Sequence, residues 1–191
     1  GTVLLNNKDI TNIKSNKLKE IYKDIQMVFQ DAIGSFNPRF TIEESIMEYV
    51  CNLCSTTEAD KKHKVDNLLR MVGLSKEYKY RYPHELSGGQ CQRAAIARAL
   101  SAQPKILVCD EATSALDVSV QAQIVELLKE MQEKMNISYL FITHDLALVS
   151  SFCDRVAVMK NGKIVEVGDT KEVINNPKDE YTKLLIKSAY F

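Results

Sequence analysis

The chain has 191 residues, with Lys plus Arg and Asp plus Glu balanced at 25 each and a formal net charge of zero. This argues against a partner held mainly by electrostatic attraction to nucleic acid, and the length is that of one compact domain with a subdomain. No apolar run approaches the ~20 residues needed to cross a bilayer, and the five scattered cysteines do not form a disulfide framework.

Thr2–Leu5, then Asn6-Asn7, then Lys8–Ile10 read together as a strand and turn. Lys17–Lys23 is expected to be a short helix and Ile25–Gln30 a strand, followed by a loop from Asp31 to Arg39 containing Gly34, Asn37 and Pro38. Thr41-Ile42-Glu43-Glu44 is a capping pattern and predicts a helix to Cys54. A second such start at Thr57 predicts a helix with Val65, Leu68, Leu69 and Val72 as its apolar stripe and Gly73 as its stop. Cys51-Asn52-Leu53-Cys54 has the spacing of a metal or redox pair, but no second pair or His cluster completes a site.

Leu86-Ser87-Gly88-Gly89-Gln90 precedes a helix-forming run from Cys91 to Ala102. Adjacent glycines let an anionic oxygen approach the backbone closely, and a helix start offers unpaired N–H groups at the positive end of its dipole. Ser87 adds a hydroxyl and Gln90 an amide, so the stretch reads as a phosphate-binding surface. Downstream, Ile106–Cys109 is an apolar strand ending in Asp110-Glu111, and Ser114–Asp117 follows. A helix is expected from Ser119 to Lys134, then a strand over Ser138–Thr143 that ends in His144. With Ile25–Gln30, three strand patterns each end in a chemically useful side chain, which is how open α/β sheets present sites. Asn161-Gly162 between Val156–Lys160 and Lys163–Val167 predicts a tight hairpin, and Tyr181–Ala189 a tail helix.

With these residues together, the chain resembles the nucleotide-binding subunit of an ATP-binding cassette (ABC) transporter over nearly all of its length. Leu86–Gln90 is similar to the family signature, Ile106–Glu111 to its Walker B strand and catalytic glutamate, Gln30 to the Q-loop, Ser114–Asp117 to the D-loop and His144 to the switch histidine. The implied fold is α/β, a partial P-loop NTPase (RecA-like) core with an inserted α-helical signature subdomain. The implied domains are a core at 1–40 and 103–168, a helical subdomain at 41–102 and a helical tail at 169–191.

The resemblance implies ATP and Mg²⁺ as cofactors. Glu111 would be the general base, with His144 and Gln30 as further catalytic groups. Asp110 and Gln30 would lie at the metal, and Ser87, Gly88, Gly89, Gln90 and Asp117 at the nucleotide. Asp117 has a second reading, as the cap of the helix near Ser119. The implied partners are a second ABC ATPase subunit in a head-to-tail dimer and transmembrane permease subunits, with no nucleic acid and no direct cargo contact. The implied location is cytoplasmic, peripheral on the inner face of the cell membrane.

The sequence contains no Gly-x-x-x-x-Gly-Lys-Ser/Thr. In the family that Walker A loop precedes the strand placed at Thr2–Leu5. The expectation is an N-terminally truncated cassette that alone is a weak or inactive ATPase. Phe29-Gln30-Asp31, Ser35–Arg39, Tyr82–Glu85 and Pro177–Leu185 resemble the oligopeptide, dipeptide and nickel importer branch. Three alternatives stay open: a non-catalytic module lending its signature to a complete partner, a soluble ABC ATPase acting on nucleic acid or ribosomes, and an inert remnant that folds but does nothing.

Overall fold

The computed structural model describes residues 1–53, 57–114 and 116–189, so Cys54 of the Cys-x-x-Cys pair and Ala115 of the segment 114–117 lie outside the described residues. The chain forms two compact units, Gly1–Ile142 and Thr143–Phe191.

The first unit opens with a small hairpin, β1 (Leu4–Leu5) and β2 (Lys8–Asp9), turned by Asn6 and Asn7 at φ of 49° and 62°. α1 (Ser15–Asp24) leads into β3 (Ile25–Val28), which pairs in parallel with β4 (Ile106–Asp110), itself parallel to β5 (Ser138–Ile142). The order is β3-β4-β5. Parallel neighbours need long crossovers. The first is the helical segment between β3 and β4, and the second is α5 (Val118–Met135). Val28, Leu107 and Cys109 are almost fully buried on one face of this sheet. α5 presents the stripe Ile124, Leu127, Leu128 and Met131. Tyr139 on β5 donates its hydroxyl to the Leu128 carbonyl at 2.9 Å, which fastens α5 to the sheet.

The helical segment contains α2 (Ile42–Leu53), α3 (Glu58–Met71) and α4 (Gly88–Leu100), with 3-10 turns at Lys76–Tyr80 and Pro83–Glu85. The stripe expected on α3 is part of its core, joined by residues of α2 and α4 that the sequence reading did not single out. Ile42, Ile46 and Val50 are buried on α2, and Val65, Leu68, Leu69 and Val72 on and just beyond α3. On α4 nearly every side chain from Cys91 to Leu100 is buried, and its many alanines allow close approach on several sides. Arg93 donates to the Val72 carbonyl at 2.8 Å, and Lys79 bridges Asp66 at 2.7 Å, so α4 and the first 3-10 turn are both anchored to α3.

The second unit contains α6 (Leu146–Phe152), the antiparallel pair β6 (Arg155–Lys160) and β7 (Lys163–Asp169), α7 (Thr170–Asn175) and α8 (Glu180–Ala189). Asn161 and Gly162 have φ of 49° and 74°, the two positive angles that a type I′ hairpin turn requires. The Glu166 carboxylate accepts the backbone N–H groups of Lys178 and Asp179 at 2.9 and 3.0 Å, holding the approach to α8 against β7. Among the described residues no helix is long and apolar enough to cross a membrane.

Candidate functional site

The ends of β3 and β4 bring two of the expected residues into contact. Gln30, two residues beyond β3, donates its side-chain amide to Glu111 Oε2 at 2.6 Å. β3 stops at Val28 rather than Gln30, and the freed residues let Gln30 turn across the end of β4. Glu111 follows Asp110, the last residue of β4, and has φ of 45°. That left-handed conformation is strained for a residue with a Cβ. It is held at both ends: Glu111 N–H donates to the Ile142 carbonyl at 2.9 Å, while its own carbonyl accepts from Ser114 N and Oγ at 3.1 and 3.0 Å.

A second group gathers where α4 and α5 begin. The diglycine is not a bend ahead of the helix but its first two residues. Ser87 is the N-cap: Oγ accepts the Gln90 N–H at 3.3 Å, and Gln90 Oε1 accepts the Ser87 N–H at 3.0 Å. This reciprocal capping box engages Gln90 within the chain, and its Nε2 donates to Tyr78 Oη at 2.8 Å. The amides of Gly88 and Gly89, at the first two helical positions, have no intrahelical acceptor. Ser87 and Gly88 are exposed.

Asp117 N-caps α5, accepting from Val120 N at 3.0 Å and Ser119 Oγ at 2.7 Å. The Ser119 hydrogen bond, followed by that from Val120, holds its carboxyl below the usual range. Its capping reading is thus observed directly. A Cβ on Gly89 would lie 2.6 Å from Val120 Cγ1, so the two helix starts touch, and Ser87–Gln90 shares one corner with Asp117. Val118, at that corner, is 83% exposed.

His144 belongs to the second unit, is exposed, and precedes Asp145, the cap of α6. Cys91, one residue past the signature, is fully buried, and loss of solvent pushes its thiol up to about 11. Oxygen donors suit Mg²⁺, and Asp110 with Gln30 supplies a carboxylate and an amide at adjoining strand ends. Among the described residues no group of three or more His, Cys, Asp or Glu could hold a metal ion. Asp110 and Gln30 would supply only part of a magnesium ligand set, the rest falling to water and phosphate oxygens.

The sequence pattern of the family described as ABC transporter matches residues 1–114, which takes in the signature, Asp110 and Glu111. The chain belongs to the ABC transporter family.

This cassette chain is 47% identical over 189 residues to the dipeptide transport ATP-binding protein DppF of Lactococcus lactis subsp. cremoris, covering 98% of this chain and 61% of that protein. It is 47% identical over 190 residues to the oligopeptide transport ATP-binding protein OppF of Salmonella typhimurium, covering 99% of this chain and 57% of that protein. The chain thus spans about three fifths of the length of these relatives. Among solved structures it resembles the ATP-binding cassette MJ0796, a dimer in a post-hydrolysis state with ADP and Pi. The TM-score is 0.78 and the identity 28%, over 89% of this chain and 73% of that one. The α/β fold with a parallel sheet is that of such cassettes.

Sequence reading passed over Arg98. It lies in the apolar run Ala94–Leu100, is 7% exposed, and donates to both the carbonyl and the hydroxyl of Ser35. An arginine inside such a run was itself the signal, because a buried guanidinium needs acceptors.

Proposed function

We propose that the chain is part of the ATP-binding and ATP-hydrolysing subunit of an ABC importer for oligopeptides or dipeptides. The observation that carries this reading is the Gln30–Glu111 contact beside Asp110 at adjoining strand ends. The names of the relatives, dipeptide and oligopeptide transport ATP-binding proteins, support the cargo class.

In this reading Glu111 receives the proton of the attacking water. Gln30 orients that water and reports the state of the site through its loop, and His144 donates a hydrogen bond to the terminal phosphate. Asp110 and Gln30 hold Mg²⁺, which when bound neutralises phosphate charge. Ser87 and the amides of Gly88 and Gly89 face the phosphates of a nucleotide carried by a second cassette subunit. Gln90 keeps that corner in shape, and Asp117 bridges the two subunits. The exposure of Ser87, Gly88 and Val118 supports a corner that meets another molecule.

The division of labour follows the chain. The segments 1–40 and 103–168 form the nucleotide-binding core, 41–102 the helical subdomain that docks on transmembrane permease subunits, and 169–191 the tail. The subunit works from the cytoplasmic face of the membrane and does not touch cargo. This polypeptide contains no Gly-x-x-x-x-Gly-Lys-Ser/Thr, so alone it turns over ATP weakly or not at all.

The exposed signature corner favours a second reading in which the chain lends its signature to a complete partner. The test is phosphate release by a complete cassette subunit mixed with this chain or with its Ser87→Ala or Glu111→Gln form. Dependence on both residues supports the first reading, dependence on Ser87 alone the second, and indifference to both contradicts them.

A further inference from the structure

We propose that Arg98 is a positioning residue. From the signature helix it fixes the loop that carries Gln30, and so decides whether Gln30 rests on Glu111. The inference rests on the reading of Glu111 as the base and of the α4 start as a phosphate-binding corner.

The loop after β3 is a stack of tight turns. Ser35 N–H donates to the Asp31 carbonyl at 3.1 Å, Gly34 N–H to Asp31 Oδ1 at 2.9 Å, Phe36 N–H to the Ile33 carbonyl at 3.2 Å and Ser35 Oγ to the Ala32 carbonyl at 2.7 Å. Residues 31–36 therefore move as one piece. That piece is held at two points. At its start Gln30 sits on Glu111. At its far end Arg98 donates Nη1 to the Ser35 carbonyl at 2.7 Å and Nη2 to Ser35 Oγ at 2.8 Å. The guanidinium also lies 4.1 Å from the Phe36 ring centroid and 5.5 Å from that of Tyr49 on α2.

A buried guanidinium gives up its acceptors only at high cost, because no water replaces them. The fork also matches two acceptors and a ring face at once, which an ammonium does not. A displacement of α4 is thus passed to Ser35 and Phe36 before it is absorbed elsewhere. The loop has room to respond: a cavity of about 640 Å³ opens beside it, lined by Met27, Phe29, Ser35, Asn37, Tyr49 and Arg98 among others. When a phosphate engages the α4 start, the same linkage moves Gln30 relative to Glu111, and the reverse holds because coupling is reciprocal.

The test uses the ¹⁵N-labelled chain and needs no turnover, so failure of the functional reading cannot be mistaken for failure of the coupling. The readouts are the side-chain amide signal of Gln30 and hydrogen exchange at Gly34–Phe36, with α5 amides as the measure of intact folding. In Arg98→Met and in Arg98→Lys the Gln30 signal is expected to move toward its position in Glu111→Ala. Exchange at Gly34–Phe36 is expected to accelerate about tenfold or more while α5 keeps its protection. Lysine does not rescue. An unchanged Gln30 signal in both variants, with α5 protected, overturns the proposal. Should both lose protection throughout, Ser35→Ala decides, since it deletes one acceptor and leaves the arginine in place. The Gln30 signal must then shift in the same direction, and no shift overturns the proposal.

Discussion

Gln30 and Glu111, eighty-one positions apart in sequence, are joined by a 2.6 Å hydrogen bond from amide to carboxylate. The contact exists because β3 and β4 are parallel neighbours in register from Ile25↔Ile106 to Val28↔Cys109, so the residues after each strand emerge side by side. The amide adds no charge of its own and fixes the direction of the Glu111 carboxylate.

The left-handed backbone of Glu111 is the first point to test. Its φ of 45° disfavours any residue with a Cβ, by about 1–2 kcal/mol. Glu111→Gly is therefore expected to be more stable than Glu111→Ala by about 1 kcal/mol, part of the relief being offset by the greater freedom of glycine in the unfolded chain. Denaturant unfolding of the two variants checks this, and equal midpoints would remove the argument for strain.

The two signature glycines are expected to behave differently. A Cβ at Gly89 would press on Val120 Cγ1 at 2.6 Å, whereas one at Gly88 would meet Leu116 Cδ2 at an ordinary 3.6 Å. Gly89→Ala should destabilise by about 1–3 kcal/mol through overpacking, and Gly88→Ala should leave the unfolding midpoint nearly unchanged. Urea titration of both separates the structural role of Gly89 from the accessibility role of Gly88.

Cys91 supplies a pH signature. Burial raises its thiol from the ordinary 9.0 to about 11, so the unfolded chain releases this proton at lower pH than the folded one. Its contribution is constant below pH 9, falls as pH rises from 9 to 11, and is flat above that. Cys91→Ala should lack that part of the alkaline decline, seen by comparing unfolding midpoints of the two chains across the range. In the native chain the thiol should also resist aromatic disulfide reagents at pH 8.

At Asp117 the cap and the charge can be separated. Its carboxyl is held below the usual range by Ser119 and Val120, so its contribution is present at neutral pH and is lost as pH falls through its lowered value. Asp117→Ala should lower the thermal midpoint at pH 7. Asp117→Asn retains the acceptor and should recover most of the loss. A midpoint for Asp117→Ala equal to that of the unaltered chain would leave the cap without energetic weight.

Much of this arrangement was legible in the sequence because it is written in local signals. The apolar strand ending in Asp110, the caps at Thr57 and Asp117 and the Asn161-Gly162 turn follow from residue types at fixed spacing, whereas the strands expected to reach Gln30 and Thr143 stop at Val28 and Ile142. α6 was not foreseen, and α7 only as part of a helical tail at 169–191. At seven and six residues they make about two turns or fewer, too short for a periodic stripe. Their Asp145 and Asp169 caps were the readable clue. The helical state of Gly88 and Gly89 was missed because glycine disfavours helix interiors, a bias that the Ser87–Gln90 box outweighs. Arg98 was missed because its partners, Ser35 and Phe36, come from a distant segment that only the folded chain brings to α4.

The corner formed by Ser87, Gly88 and Gly89 is proposed to bind the phosphates of a nucleotide carried by another cassette. The direct measurement is the ATP affinity of a complete cassette subunit, titrated with and without this chain. The chain is expected to tighten ATP binding about tenfold or more, and Ser87→Ala combined with Gly88→Asp to abolish the gain while the folded state persists. An affinity that does not change on adding the chain, or that tightens equally with the doubly substituted form, would contradict the proposal.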